Sequence, residues 1–163
     1  MNKAIFLDRD GVINKEYNTG IYTYMVEAFI INDDVMTALK QFRKRGYLLI
    51  LISNQGGISK GIYTHEDVAK THGYLMDELK KHGLYLDAIY YCPHHPDFDG
   101  KCLCRKPDSL MLEKAMGRFN IDPKESYFIG DAKRDYEAGT KAGLKTILIE
   151  PNSSLLAIMD EIK

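Results

Sequence analysis

No apolar run in this chain approaches the ~20 consecutive residues that a membrane-spanning helix needs, so no membrane partner is expected. Positive charge is not in excess either. The chain has 22 lysines and arginines against 23 aspartates and glutamates, a formal net charge of -1. No basic stripe is present for a nucleic acid to read, so nucleic-acid binding is not expected. Cysteine is scarce: three residues, an odd count, all within positions 92–104. That pattern excludes a secreted disulfide scaffold. The N-terminus has no signal-peptide pattern, because Met1-Asn2-Lys3 leads into only four apolar residues before Asp8. A cytoplasmic location is therefore the expectation. Internal repeats, low-complexity tracts and linkers are also missing. At 163 residues the chain suits one domain, 1–163, with a core of its own. No exposed apolar helix face stands out, and a monomer is expected.

Short apolar runs alternate with segments of helical periodicity. Strands are expected at Ala4–Leu7, Leu48–Ile52, Ala88–Tyr91, Tyr127–Ile129 and Thr146–Ile149. A first helix should start at Asp33 or Asp34 as its cap, bury Val35, Met36, Leu39 and Phe42, and end at Gly46. A second should run from Thr64, with Asp67 as its capping-box partner, to about Gly83. Others are expected over Asp108 to Phe119, Arg134 to Ala142, and from Ser153 onward. The alternation predicts an α/β fold of three layers, a Rossmann-like parallel sheet flanked by helices. Two stretches fit neither pattern. Lys15–Ile31 contains Tyr17, Tyr22 and Tyr24, and Tyr91–Pro107 holds every cysteine. Both leave carboxyl ends of strands and should overhang the edge where such sheets bind ligands.

The same edge collects the polar motifs. Ala4-Ile-Phe-Leu-Asp8-Arg-Asp10-Gly runs from a buried strand into two aspartates one residue apart. On an extended segment these carboxylates point the same way. They can hold a hard cation such as Mg²⁺, or divide the work of nucleophile and general acid. Leu48–Ile52 ends in Ser53-Asn54-Gln55-Gly56-Gly57, a hydroxyl and a glycine turn suited to a phosphate. Tyr127–Ile129 ends in Gly130-Asp131, which offers a cation ligand opposite Asp8. Asp135 either orients a lysine or complements a helix dipole. Arg105-Lys106-Pro107 places a cation just before a helix. A carboxylate pair, a hydroxyl, a lysine and a third aspartate are what phosphoryl transfer needs.

The cysteine segment is a second constellation. In Cys92-Pro-His94-His95 and Cys102-Leu-Cys104, Cys-x-His and Cys-x-Cys pairs each turn two ligands to one side. Together they can close a tetrahedral Cys₃His zinc site with no open position, hence a structural one. His94 has the better spacing from Cys92, and His95 is the alternative ligand. His65, His72 and His82 fall on a helix-like segment expected to be exposed and receive no role.

In order along the chain, Asp8-Arg-Asp10-Gly-Val, Ser53-Asn54, Lys106, and Gly130-Asp131 with Asp135 resemble the four motifs of the haloacid dehalogenase (HAD) superfamily of phosphohydrolases. Tyr91-Cys-Pro-His-His-Pro96 and Cys104-Arg-Lys-Pro107 resemble its heptose-bisphosphate and histidinol-phosphate phosphatase branch. Asn54-Gln-Gly-Gly-Ile-Ser-Lys-Gly61 is more similar to the heptose side of that branch. The resemblance implies Asp8 as nucleophile and Asp10 as acid and base. It implies Asp8, the Asp10 carbonyl and Asp131 around Mg²⁺, and Ser53, Asn54 and Lys106 around the phosphoryl group. Arg105 would contact a sugar-phosphate substrate. A lysine expected by that resemblance after Asp131 is Ala132 here. No stretch is long enough for a separate cap domain, so the Tyr-rich and cysteine loops are expected to shape the pocket. The competing expectation from another class is a zinc-stabilised binding module without catalysis.

Overall fold

The computed structural model describes residues 1–17 and 21–163. Five strands form one parallel sheet: β1 (Lys3–Leu7), β2 (Tyr47–Asn54), β3 (Ala88–Cys92), β4 (Tyr127–Gly130) and β5 (Lys145–Leu148), in the order β3-β2-β1-β4-β5. Helices α1 (Val35–Lys44), α2 (His65–Lys81), α3 (Pro96–Asp99), α4 (Leu110–Phe119) and α5 (Lys133–Lys141) connect or flank them. The chain winds outward from β1 through β2 to β3, then returns to place β4 on the other side of β1. The order therefore reverses between β1 and β4, and the crevice at such a reversal is where open α/β sheets hold ligands.

Strand alternation divides the core. Ile5, Leu7, Leu49, Leu51 and Ile129 face Val35, Leu39 and Phe42 of α1 and Leu75 and Leu79 of α2. Ala4, Phe6, Ile50, Ile52 and Phe128 face Met111, Leu112 and Ala115 of α4 and Ala138 of α5. Both sheet faces are buried, which is why the strands read as continuous apolar runs. The expected three-layer architecture is thus present. Among the described residues, β1 and β2 are joined through a 3₁₀ turn at Val26–Ala28 and α1, and β2 and β3 through α2, with no separate domain inserted. No helix among the described residues is long and apolar enough to cross a membrane.

Several local expectations shift. Asp34 occupies the N-cap position of α1 as expected, but it sits in the left-handed region at φ 62° and its side chain makes no cap hydrogen bond. Its carboxylate instead accepts from Ser154 Oγ at 3.0 Å, tying α1 to the C-terminal segment. Thr64 does cap α2, accepting from Asp67 N–H (3.2 Å) while the Asp67 carboxylate accepts from Thr64 N–H (2.8 Å). Past Ser153 there is only a 3₁₀ turn, Leu155–Ile158, and β5 starts one residue earlier than expected. Helix α4 begins two residues later than expected, at Leu110. The cysteine loop contains α3, a helix its composition did not announce. Asn18–Gly20 of the Tyr-rich stretch lie outside the described residues.

His72 is the larger correction. It is buried, not exposed, with Nε2 unpartnered and its ring edge-on to Tyr91 at 5.8 Å. Burial, and then the Arg9 guanidinium, push its pKa down from 6.5 to about 4. Unfolded chains take up this proton below about pH 6.5 while the folded state refuses it until about pH 4. Stability is therefore complete above that window and is lost as pH falls through it, by about 3 kcal/mol in all. Chemical denaturation of wild type and His72→Gln at pH 7 and pH 4.5 should show the smaller pH-dependent loss in the variant. Equal losses would exclude His72 as a source of acid sensitivity.

Candidate active site

The carboxyl edge is organised around a buried ammonium. Lys106 Nζ lies 2.7 Å from Asp8 Oδ1, 2.7 Å from Asp135 Oδ1 and 3.2 Å from the Ile52 carbonyl. A lysine buried to this degree is tolerated only when paired; Nζ donates to Asp8 Oδ1 and the Ile52 carbonyl and is ion-paired with Asp135. Burial opposes the charge, but Asp8 and Asp135 outweigh it and hold the Lys106 pKa above its ordinary value. The backbone at Lys106 is fixed as well. Asn54, at the end of β2, donates to the Lys106 carbonyl and accepts from its N–H, each at 3.0 Å. Asp135 serves both expectations raised for it. One oxygen pairs with Lys106, and the other accepts from the N–H groups of Asp131 (3.2 Å) and Ala132 (3.1 Å) at the start of α5.

Asp8 follows β1 and Asp131 follows β4, on either side of the strand-order reversal. Asp8 Oδ1 also accepts from the Arg9 N–H at 2.8 Å. Asp8, Asp131 and Asp135 each offer an oxygen within 4.8 Å of the others. Asp131 Oδ1 is buried without a partner. Burial and the neighbouring carboxylates raise Asp8 to about 7 and Asp131 to about 8. Crowded carboxylate oxygens with an orphan among them fit a hard divalent cation. The Asp10 carboxylate, which the sequence grouped with Asp8, stands outside this cluster, and Asp135 stands within it.

Asp10 is held differently. Its Oδ1 accepts from Arg9 Nη2 (2.9 Å), Arg9 Nε (3.2 Å) and Asn14 Nδ2 (3.0 Å). Burial works against its ionisation, yet the Arg9 guanidinium and these hydrogen bonds hold its pKa below the usual carboxylate range. Oδ2 has only the Gln55 amide nearby, at 3.3 Å.

Ser53 is buried, and the Gln55 side-chain amide bridges its Oγ and the Tyr63 hydroxyl, 2.7 Å from each. Tyr63 in turn stacks on Tyr24 (centroids 5.3 Å apart) and meets Tyr22 edge-on at 5.6 Å. The Tyr-rich loop is thereby seated against the end of β2. Asp10, Asn54 and Arg105 line a cavity of about 210 Å³ together with Arg9, Tyr22 and Arg134. Asp8, Ser53 and Lys106 are buried directly beside these residues in the chain. Gln55, Tyr63 and Arg134 were not singled out from the sequence. Gln55 carried no charge or motif to mark it, whereas Arg134, one turn from Asp131, could have been read as the cation missing at Ala132.

In the cysteine loop, Cys92 Sγ, His94 Nδ1, Cys102 Sγ and Cys104 Sγ all lie within 4.8 Å of one another. Their separations include 3.7 Å for Cys92–Cys102 and Cys102–Cys104, and 3.5 Å for Cys92–His94. Ligands about 2.3 Å from a tetrahedral centre have edges near these lengths, while Cys92–Cys104, at 2.9 Å, is shorter and would open around a bound ion. Burial pushes the Cys92 and Cys104 thiols up, whereas at Cys102 burial is outweighed by hydrogen bonds, the Arg105 N–H first among them, which bring it down to about 7. His94 enters the cluster. His95 does not: its Nδ1 accepts from Asp97 N–H at 3.3 Å and caps α3. The loop reaches the cavity through the His94 carbonyl, which accepts from Arg105 Nη1 at 3.0 Å.

Residues 103–155 match the HAD-hydrolase-like family. The chain is 38% identical to the D-glycero-beta-D-manno-heptose-1,7-bisphosphate 7-phosphatase of Haemophilus ducreyi, over 95% of this chain and 87% of that one. It is 42% identical to the D-glycero-alpha-D-manno-heptose-1,7-bisphosphate 7-phosphatase of Campylobacter jejuni, over 90% and 81%. The crystal structure of D,D-heptose 1,7-bisphosphate phosphatase from B. bronchiseptica, complexed with magnesium and phosphate, superposes with a TM-score of 0.82 at 29% identity, covering 90% of this chain and 79% of that one. The chain belongs to the HAD-like hydrolases, as one of their phosphatases.

Gly11 provides a direct test of the cluster. Its φ of 81° is left-handed, and a Cβ there would collide with Asp131 Oδ2 and come within 2.8 Å of Asp131 Cγ. Gly11→Ala should displace Asp131 and lower phosphate release by about 100-fold, with a stability loss of about 1–2 kcal/mol. Wild-type turnover in this variant would mean that Asp131 need not sit where the structure has it.

Proposed function

We propose that the protein removes the 7-phosphate from a heptose 1,7-bisphosphate, with Mg²⁺ at the Asp8–Asp131 cluster and an aspartyl-phosphate formed on Asp8. The observation that carries this reading is Lys106 Nζ held between Asp8 and Asp135 while Asp8 also clusters with Asp131. A nucleophile, a fixed positive charge and a cation cradle thus converge on one point. The substrate follows from the curated relatives, whose names specify this sugar in both anomeric forms.

Asp8, the Asp10 backbone carbonyl and Asp131 would hold the Mg²⁺, which would offset charge on the phosphoryl oxygens. The Asp8 carboxylate attacks phosphorus as the bond to the sugar oxygen breaks. Asp10 Oδ2, the oxygen not committed to Arg9 and Asn14, carries the proton delivered to that leaving oxygen. The same oxygen then takes a proton from the water that attacks phosphorus, releasing phosphate and restoring Asp8. Ser53, the Asn54 N–H and Lys106 hold the transferring group, and Arg105 meets the far phosphate from the cavity wall. Cys92, His94, Cys102 and Cys104 would bind a structural Zn²⁺ and so fix the carbonyl on which Arg105 rests.

Asp8→Asn should lose at least about 1,000-fold in kcat with an unchanged circular dichroism spectrum. Heptose 1,7-bisphosphate should exceed histidinol phosphate in kcat/KM by about tenfold or more when the two are assayed side by side with Mg²⁺. The reverse preference would reject the heptose assignment. Stripping zinc should lower the melting temperature by about 5–10 °C, and an unchanged melting curve would remove the structural role given to that ion.

A further inference from the structure

Arg9 lies between the two aspartates and is 1% exposed, yet nothing in the reaction above requires it. Its surroundings are specific. Two of its nitrogens converge on one oxygen of Asp10, at 2.9 and 3.2 Å. Nη2 also donates to the Thr23 carbonyl at 2.6 Å, in the Tyr-rich loop. The guanidinium lies over the buried Phe29 ring, 5.5 Å from its centroid. Asp10 is the only carboxylate with which Arg9 forms an ion pair among the described residues. The Asp10 side chain itself is 28% exposed and faces the cavity. A buried cation is thus joined to a carboxylate at the cavity wall and to one loop that borders the same cavity.

We propose that Arg9 is a positioning residue: through its fork to Asp10 Oδ1 and its bond to the Thr23 carbonyl, it sets the Asp10 carboxyl against the leaving-group oxygen and locks that placement to the seated Tyr-rich loop. The proposal rests on Asp10 being the acid that protonates the leaving group. Saturating Oδ1 with Arg9 and Asn14 directs Oδ2 into the cavity, so the proton is carried by the oxygen that faces substrate. Phe29 supplies an apolar shelf that keeps the guanidinium flat. A lysine retains the charge but has no planar fork, and cannot reproduce the paired contact together with the Thr23 bond.

A residue that positions the acid matters only where the leaving group needs a proton. The test therefore compares kcat/KM, which stops at the departure of the alcohol, for two substrates of the Mg²⁺-loaded enzyme. One is the heptose bisphosphate, whose alkoxide needs protonation. The other is p-nitrophenyl phosphate, whose phenolate leaves without it. Arg9→Lys should lower kcat/KM by about 30-fold or more on the sugar and by no more than about 3-fold on the aryl ester. Phe29→Leu, a milder change whose folding is checked by its melting curve, should show the same selectivity at about 3-fold. Asp10→Asn provides the reference and should be at least as selective as Arg9→Lys. If Asp10→Asn is selective but neither Arg9→Lys nor Phe29→Leu is, the role given to Arg9 is wrong while the acid stands. If Asp10→Asn affects both substrates equally, the acid assignment fails and takes the proposal with it.

Discussion

The site depends on one buried ion pair network. Lys106 draws Asp8 and Asp135 to within 2.7 Å and takes the Ile52 carbonyl as well. These partners belong to the ends of two strands, β1 and β2, and to the helix that follows β4. Removing Lys106 would leave two carboxylates stranded in a medium that does not solvate them. The same network leaves net negative charge beside Asp131, because Lys106 neutralises only part of it. Burial, and then that imbalance, raise Asp8 and Asp131, and the excess of carboxylate makes the place receptive to a divalent cation. Structure and chemistry therefore share one electrostatic arrangement.

Much of this was legible in the residues, and the reason is local. Buried parallel strands have to be continuously apolar, so β1, β2 and β4 announce themselves, and the first polar residues after them mark the carboxyl edge. Asp8, Ser53 and Asp131 were found that way. The Cys-x-His and Cys-x-Cys pairs were equally visible, since spacing alone turns their ligands together. What the sequence hid is side-chain traffic across elements. Asp10 is drawn away from Asp8 by Arg9, which alternation along a strand does not foresee. Gln55 joins Ser53 to Tyr63 through an uncharged amide. Asp34 leaves its helix for Ser154, whereas His72 falls at helical spacing on the buried face of α2 with Val68, Leu75 and Leu79, a face the sequence does show.

The two irregular loops are attached to the site by different physics. Aromatic stacking on Tyr63 holds the Tyr-rich segment, aided by the Thr23 carbonyl on Arg9. The cysteine segment has no apolar core of its own: Phe98 and Leu103 are exposed. Four converging ligand atoms take the place of that core. One loop is thus held by ring packing, while a bound metal would fix the other, and Arg105 would share the stiffness of the second through the His94 carbonyl.

The strand order has a consequence for how the molecule comes into being. β1 is central and its second neighbour, β4, is supplied late, with Ala4 N–H bonded to Ser126 Oγ across a separation of 122 residues. A nascent chain that has emerged only through β3 owns Asp8, Asp10 and Ser53 but neither Lys106 nor Asp131. Under the roles proposed for these residues, a half-made copy would lack both the fixed cation and a metal ligand until the last third of the polypeptide docks against the first strand.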